Sequence, residues 1–472
     1  MKESPSMVKT RFAPSPTGFI HVGNLRTAIF TYLIAKQQGG HFALRIEDTD
    51  QGRFVEGAMD AIKTTLTACG LTWDEGPDVG GPDGPYVQSE RLTLYQQHAH
   101  DLVQKGHAYY CFCDAARLDA LREQAQAKKE TFMYDGFCKS LSQEAIQTKI
   151  SANEPYVIRQ ETPSSGSTSF TCEVYGTITI ENDQIEDQIL LKSDGYPTYN
   201  FANVVDDHLM HITHVVRGNE YLTSTPKYTL LYQAFGWEEP KYVHMPLVVK
   251  ADGKKLSKRD GDAYFSDFVA KGYVPEAIVN YLSLLGWAPP GKQELYSLAE
   301  LIEVFDVGRI NTSPAVFDLQ KLNWVNAHYI KAMDPEVYYA LVRPFITMDL
   351  PEATIRALAM LFQERLDYLS QIQDHIEQFY HPTMDQETTA FMASEDHSKV
   401  LTTFRQLFES LTDMTPEAIK ATITQTGEVC GVKGKLLFMP IRIQTTGVMH
   451  GPDLPRSLAI LGKDEVLRRL SE

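Results

Sequence analysis

The chain has 472 residues, 43% of them hydrophobic and 10% aromatic, and a formal net charge of −17. At about 100–200 residues per domain this length predicts three to five domains, with apolar residues enough for large cores. Six cysteines are too few for a disulfide scaffold, no apolar run approaches the roughly 20 residues that span a bilayer, and the opening MKESPSMVKT has no apolar h-region, so a cytoplasmic protein without a membrane partner is expected.

The acidic balance argues against nonspecific coating of nucleic acid, yet the charges are segregated. Residues 366–398 carry seven Asp/Glu and no Lys or Arg, whereas residues 430–472 carry seven Lys/Arg against four Asp/Glu. No internal repeat or low-complexity tract is evident.

The first elements read strand, helix, strand, helix. VKTRFAPSP (8–16) is a short strand that runs into a Pro turn. NLRTAIFTYLIAKQQGG (24–40) has apolar residues at helical spacing and a Gly-Gly stop. HFALRIEDTD (41–50) is a strand ending in carboxylates, and FVEGAMDAIKTTLTACG (54–70) is again a helix with a Gly stop. This order implies a parallel sheet with crossover helices. Residues 97–196 break the pattern with a cysteine cluster and the loop ETPSSGSTSF, and read as an insertion. The α/β pattern resumes through residues 194–261, and beyond about residue 270 the chain reads as mostly helical.

Four stretches carry candidate chemistry. His21 and Gly23 fall at a helix start behind a Pro-Gly turn, where free N–H groups and the helix dipole favour phosphate; the plain alternative is a surface turn. GKKLSKRDG (253–261) puts Lys254, Lys255, Lys258 and Arg259 in a loop after an apolar strand, placed to meet a polyphosphate or simply to be solvated. LRIEDTD (44–50) offers a carboxylate for an ammonium group or a helix cap. In residues 194–221, Tyr199, Asn203 and Arg217 are pocket candidates, with Arg217 after the apolar ITHVV and suited to grip a carboxylate.

Taken together these stretches resemble the bacterial-type glutamyl-tRNA synthetases, a class I family. HVGN (21–24) is similar to the family's HIGH signature and KLSKR (255–259) to its KMSKS signature. RFAPSPTG, GG.F.LRIEDTD, YPTYNFANVVDDHLM and the late KGKLLFMPIRI…TG…HGPDLP (433–455) match further family blocks in order.

The resemblance implies a Rossmann-like catalytic domain (7–96 and 197–248), an α+β acceptor-stem insertion (97–196), a stem-contact domain carrying KLSKR (249–334) and an all-α anticodon-binding region (335–472). It implies a monomer that activates L-glutamate with ATP and Mg2+ and transfers it to the 3′ end of glutamate tRNA. His21, Asn24, Lys255 and Lys258 would be catalytic. Arg11, Ala13, Ser15, Glu47, Tyr199, Asn203 and Arg217 would bind glutamate, with Arg11 and Arg217 on its carboxylates and Glu47 on its ammonium. His21, Gly23, Glu220, Val248, Lys255, Ser257, Lys258 and Arg259 would bind ATP. Asn219 and Tyr221 stand where many relatives have an acidic residue and a Trp, so altered packing beside the pocket is expected.

Some family members bind Zn2+ in the insertion. The set here is Cys111, Cys113, Tyr134 and Cys138, with Ser140 where a His or acid would complete it; the alternative is three small buried thiols. Cys69, Cys172 and Cys430 read as core residues. The rival within the family is a non-discriminating enzyme that also charges glutamine tRNA with glutamate. A dedicated glutaminyl enzyme does not fit PSPTG and a helical C-terminal part, a small nucleotidylyltransferase is too short, and an idle tRNA-binding protein would not need both HVGN and KLSKR.

Overall fold

The structure is a computed structural model that describes residues 7–53, 55–254, 256 and 263–471. It divides into two compact units, residues 1–267 with 279–318, and residues 268–278 with 319–472.

The first unit is built on a six-stranded sheet. β1 (Lys9–Phe12) leads into α1 (Val22–Gln37), which returns to β2 (His41–Leu44), parallel to β1 in the register Lys9↔His41 through Phe12↔Leu44. The helix is apolar nearly all round, from Val22 and Leu25 to Ile34 and Ala35, and is accordingly buried on most of its surface. The Gly-Gly stop has a steric reason at Gly40, where a Cβ would collide with the Val8 carbonyl oxygen. α2 (Ala58–Ala68) follows as expected.

Residues 92–191 add α3 (Leu92–Gln104), β3 (Ala108–Cys111), α4 (Ala115–Lys128), α5 (Gln143–Ser151), β4 (Val157–Gln160), β5 (Ser167–Cys172), β6 (Gly176–Glu181) and β7 (Ile189–Leu191). β3, β4 and β7 form a separate antiparallel sheet. β5 and β6 instead extend the core sheet, β5 lying parallel to β9 (Lys241–Met245) at Cys172↔Tyr242. The span 97–196 is therefore not a wholly separate body: its Thr/Ser-rich hairpin supplies two strands of the core.

α6 (Tyr199–Leu209), β8 (His214–Gly218) and α7 (Thr225–Phe235) precede β9, and the sheet order is β2-β1-β8-β9-β5-β6. β1 thus has β2 on one side and β8 on the other, and the winding direction reverses between β1 and β8. A buried cluster of Tyr95, Leu102, Phe201, Val205, Tyr228 and Leu231 packs α3, α6 and α7 together. β10 (Val248–Val249) pairs in parallel with β11 (Ala315–Val316).

Among its described residues the second unit has helices joined by loops and no strand, its last helix being Lys463–Arg469. Buried Arg469 ties down its end, donating to the main-chain oxygens of Phe379 at 3.1 Å and Thr445 at 2.6 Å. Among the described residues no helix is long and apolar enough to cross a membrane.

Candidate active site

In an open α/β sheet a ligand sits outside the carboxyl ends of the strands, where the winding reverses. Here that place is a cleft of about 340 Å³, walled by the segments after β1 (Phe12–Thr17), the end of β8 (Val216–Gly218) and the chain after β9 (Pro246–Val248). The strand ends set what reaches it: Arg11 from β1, Glu47 just beyond β2 and Arg217 from β8.

Arg11 and Glu47 are fixed by a buried chain of ion pairs. Arg11 donates through Nε and Nη2 to both oxygens of Asp207, at 2.8 and 3.1 Å. Arg45, wholly buried, donates to Asp207 at 2.8 Å and to Glu47 Oε1 at 2.9 Å. The two arginines hold the Asp207 carboxyl below its ordinary range although burial pushes it up. Burial raises Glu47, against the pull of Arg45 and Arg11.

Arg217 is held differently. Its guanidinium lies over the rings of Tyr228, Tyr221 and Tyr242 at 4.5, 5.4 and 5.6 Å, while its Nε and Nη1 are buried and have no hydrogen-bond partner among the described residues. Aromatic faces stabilise a cation without neutralising it. A buried guanidinium left unpaired is costly, so the arrangement suits an anion entering from the cleft. Beneath it His244, register partner of Arg217, is pushed down to about 3 by burial and by the Arg217 charge, so it adds no second cation.

The start of α1 also lines the cleft. His21 caps the helix, its Nδ1 accepting from the Gly23 N–H at 3.1 Å. That bond puts the proton of the neutral ring on Nε2 and makes Nε2 a donor. The Gly23 amide is used by this cap, and a Cβ at Gly23 would meet His21 Nδ1 at an ordinary 3.4 Å. Asn24 and Glu220 are exposed at the rim, and Val248 is buried in the wall.

The cleft therefore gathers Arg11, Ala13, Ser15, His21, Gly23, Asn24, Glu47, Tyr199, Arg217, Glu220 and Val248 from segments far apart in the chain. Asn203 differs from expectation. It lies one helical turn beyond Tyr199, buried behind the wall, and its amide donates to the Tyr199 carbonyl at 2.9 Å. Lys255, Ser257, Lys258 and Arg259 lie outside the described residues. Beside the cleft, Tyr221 packs on Tyr199 with ring centroids 5.6 Å apart, and Asn219 donates to the Tyr175 hydroxyl at 3.3 Å.

Three residues escaped the sequence reading: Arg26, Arg45 and Asp207. The only signal for the last was the acidic pair in ANVVDDH, an unusual interruption of an apolar helix face. The three partners of Asp206 show why the second acid is tolerated: Arg91, Gln88 and Tyr95 all donate to it, at 2.7, 2.9 and 2.8 Å.

A second constellation lies in the three-stranded sheet region. The sulfurs of Cys111, Cys113 and Cys138 all lie within 4.8 Å of one another, with 3.6 Å between Cys113 and Cys138. The Tyr134 hydroxyl is 3.4 Å from Cys111 Sγ and 3.3 Å from Cys113 Sγ. Ligands about 2.0–2.3 Å from a tetrahedral zinc are spaced by roughly 3.3–3.8 Å, so the Cys113–Cys138, Tyr134–Cys111 and Tyr134–Cys113 separations suit such an ion. Burial raises the Tyr134 phenol, which makes it a weak fourth donor. Ser140 is turned away, its hydroxyl donating to the Phe137 carbonyl at 3.1 Å. Cys69 and Cys172 are core residues, but Cys430 is only half-buried, since it ends a helix with its sulfur 3.7 Å from the Lys399 carbonyl.

Comparison with known proteins places these features in a family. The model for the catalytic domain of class I tRNA synthetases (E and Q) matches residues 7–324, and an anticodon binding domain matches residues 337–472. A glutamate–tRNA ligase of Clostridium botulinum (strain Hall) is 49% identical, the alignment covering 98% of this chain and 97% of its own. One of Clostridium novyi is 48% identical over 99% of this chain and 97% of its own. The crystal structure of a glutamate tRNA ligase from Elizabethkingia meningosepticum, in complex with its amino acid, superposes with a TM-score of 0.88 at 33% identity over 99% of both chains.

Proposed function

The chain belongs to the class I tRNA synthetases for glutamate and glutamine, and from that premise we propose how its cleft works. Its activity is that of a glutamate–tRNA ligase: glutamate and ATP give glutamyl-adenylate and pyrophosphate, and the terminal ribose hydroxyl of tRNA then displaces AMP. ATP enters with Mg2+, as it does in class I synthetases generally.

The observation that carries the choice of glutamate is the charge pattern. Arg11, Asp207, Arg45 and Glu47 cancel, and Arg217 is the one cation of the five without a carboxylate partner among the described residues. Glutamate brings two carboxylates and one ammonium, a net charge of −1, which this set complements. Arg217 and the free edge of Arg11 take the carboxylates, Glu47 takes the ammonium, and Ala13, Ser15 and Tyr199 shape the space between. Asn203 acts from behind, by fixing the first turn that carries Tyr199.

The attacking carboxylate is already ionised at neutral pH, so no general base is needed. Catalysis is alignment plus stabilisation of charge growing on the phosphate. His21 donates from Nε2 to a phosphate oxygen, Asn24 donates beside it, and Glu220 and Val248 flank the adenosine. Lys255, Ser257, Lys258 and Arg259, by resemblance to the KMSKS signature, close on the pyrophosphate.

Zinc is assigned to Cys111, Cys113, Cys138 and Tyr134, where it would cross-link the strand end to the loop at Phe137. We propose the division into catalytic domain (7–96, 197–248), acceptor-stem insertion (97–196) whose β5–β6 hairpin joins the core sheet, stem-contact domain (249–334) and anticodon region (335–472). We propose that it works as a single chain in the cytoplasm, where its six free cysteines suit a reducing compartment. The test is ATP–pyrophosphate exchange in the presence of tRNA, run with glutamate and with glutamine. Exchange that depends on glutamate supports the reading; exchange with neither amino acid contradicts it.

A further inference from the structure

Arg26 is buried in the wall of the cleft, yet it has no role in the set above. It sits one turn into α1, just past His21. Its Nη1 donates to the Leu285 carbonyl at 3.2 Å, and its Nη2 donates to the Pro246 carbonyl. Its Nε is buried with no hydrogen-bond partner among the described residues, and no carboxylate among them pairs with it. Burial draws the guanidinium down to about 10, with Glu220 at the rim pulling the other way. A buried charge committed to two main-chain oxygens needs a reason beyond ordinary packing.

The carbonyls it grips are informative. Pro246 begins the segment Pro246–Val248 that forms one wall of the cleft. Along its far side this segment is held by β11: the Ala315 N–H donates to the Leu247 carbonyl at 2.8 Å, and Val248 is in register with Ala315. Arg26 therefore fixes the near end of a wall whose other end the sheet already fixes. Gly286 makes room for the grip. It adopts φ +84°, and a Cβ there would lie 2.9 Å from Pro246 Cγ and 3.5 Å from Arg26 Nη1.

We propose that Arg26 is a positioning residue for the nucleotide: through Pro246 it sets the distance between the adenosine wall at Val248 and the helix start at His21. The proposal rests on the reading above that places adenosine against Val248 and phosphate at His21. Arg26 thus ties the helix that starts at His21 to the Pro246 end of the wall, and a lysine, donating from one nitrogen only, lacks the planar fork whose two nitrogens reach separate carbonyls here.

The test uses two variants that disturb the grip from opposite sides. Arg26→Lys keeps the charge but removes the two-nitrogen fork, and Gly286→Ala leaves Arg26 intact but strains a left-handed backbone position and presses on Pro246. In steady-state charging of tRNA, each raises KM for ATP about tenfold, the size of one lost charge-assisted hydrogen bond, while KM for glutamate stays within about twofold. Equilibrium binding of a non-hydrolysable ATP analogue weakens in parallel. KM for ATP unchanged in folded protein, or rising in step with KM for glutamate, overturns the proposal. If Arg26→Lys is not recovered folded, Gly286→Ala decides. A wild-type protein that charges no tRNA contradicts the functional reading itself, whereas an active wild type whose variants are indifferent to ATP contradicts this inference alone.

Discussion

Arg11 and Asp207, 196 residues apart in the chain, meet in a two-point ion pair inside the first unit, Nε to Oδ1 at 2.8 Å and Nη2 to Oδ2 at 3.1 Å. The pair spends one edge of the guanidinium on the protein and leaves the Nη1–Nη2 edge, the one proposed to meet a substrate carboxylate. Through Arg45 the same carboxylate also reaches Glu47, so the groups proposed for the two charges of the amino acid share one buried anchor.

Asp207→Asn puts an amide donor against a guanidinium donor and leaves two buried cations short of one charge. The expected loss of stability is about 3–5 kcal/mol near neutral pH. The folded-state pKa of Asp207 lies below its unfolded value, so its contribution is present above the unfolded pKa of about 3.9 and is lost as pH falls through the folded value. Denaturant melts at pH 7, 5 and 3.5 check this: the gap between wild type and variant narrows at the lowest pH, and a gap independent of pH contradicts the assignment.

Arg217→Gln removes the unpaired guanidinium from its tyrosine cage. Because no protein carboxylate is left stranded, folding is affected less than catalysis. Glutamate-dependent kcat/KM falls by about 2–5 kcal/mol, roughly 30-fold or more. Normal glutamate activation by this variant means that the carboxylate sits elsewhere.

These two arginines mark how far the sequence could be read. Arg217 was visible because an apolar strand, ITHVV, ends on it, and β8 does end there. The α/β core and the helical C-terminal part were legible from periodicity, and His21, Gly23, Tyr199 and Arg217 from their places at helix starts and strand ends, whereas Arg11, Ala13, Ser15, Glu220 and Val248 came only from the resemblance to the family. Asp207 and Arg26 were not, because their partners lie 196, 220 and 259 residues away and no local spacing encodes such pairs. The hairpin at 167–181 was missed for the same reason: strand pairing with β9 is a property of the assembled sheet.

Lys258→Ala tests the cationic loop, whose Lys258 lies outside the described residues. Charge stabilisation made mainly in the transition state is lost, so kcat falls by about 10²–10³-fold while KM for glutamate changes little. Near-normal turnover removes KLSKR from the mechanism.

Zinc in the thiol cluster predicts about one equivalent per chain by elemental analysis of untagged protein prepared without chelator, the content of one structural site. Cys113→Ser lowers that content. Metal-free wild type with an unaltered melting temperature means that the thiols only pack.

The most direct measurement is the charging reaction itself. Purified protein is incubated with labelled amino acid, ATP and Mg2+, and separately with glutamate tRNA, glutamine tRNA or an unrelated tRNA. The account predicts ATP-dependent attachment of glutamate to glutamate tRNA and no attachment of glutamine to any of the three. Failure to attach glutamate, or attachment of glutamine in its place, would contradict it.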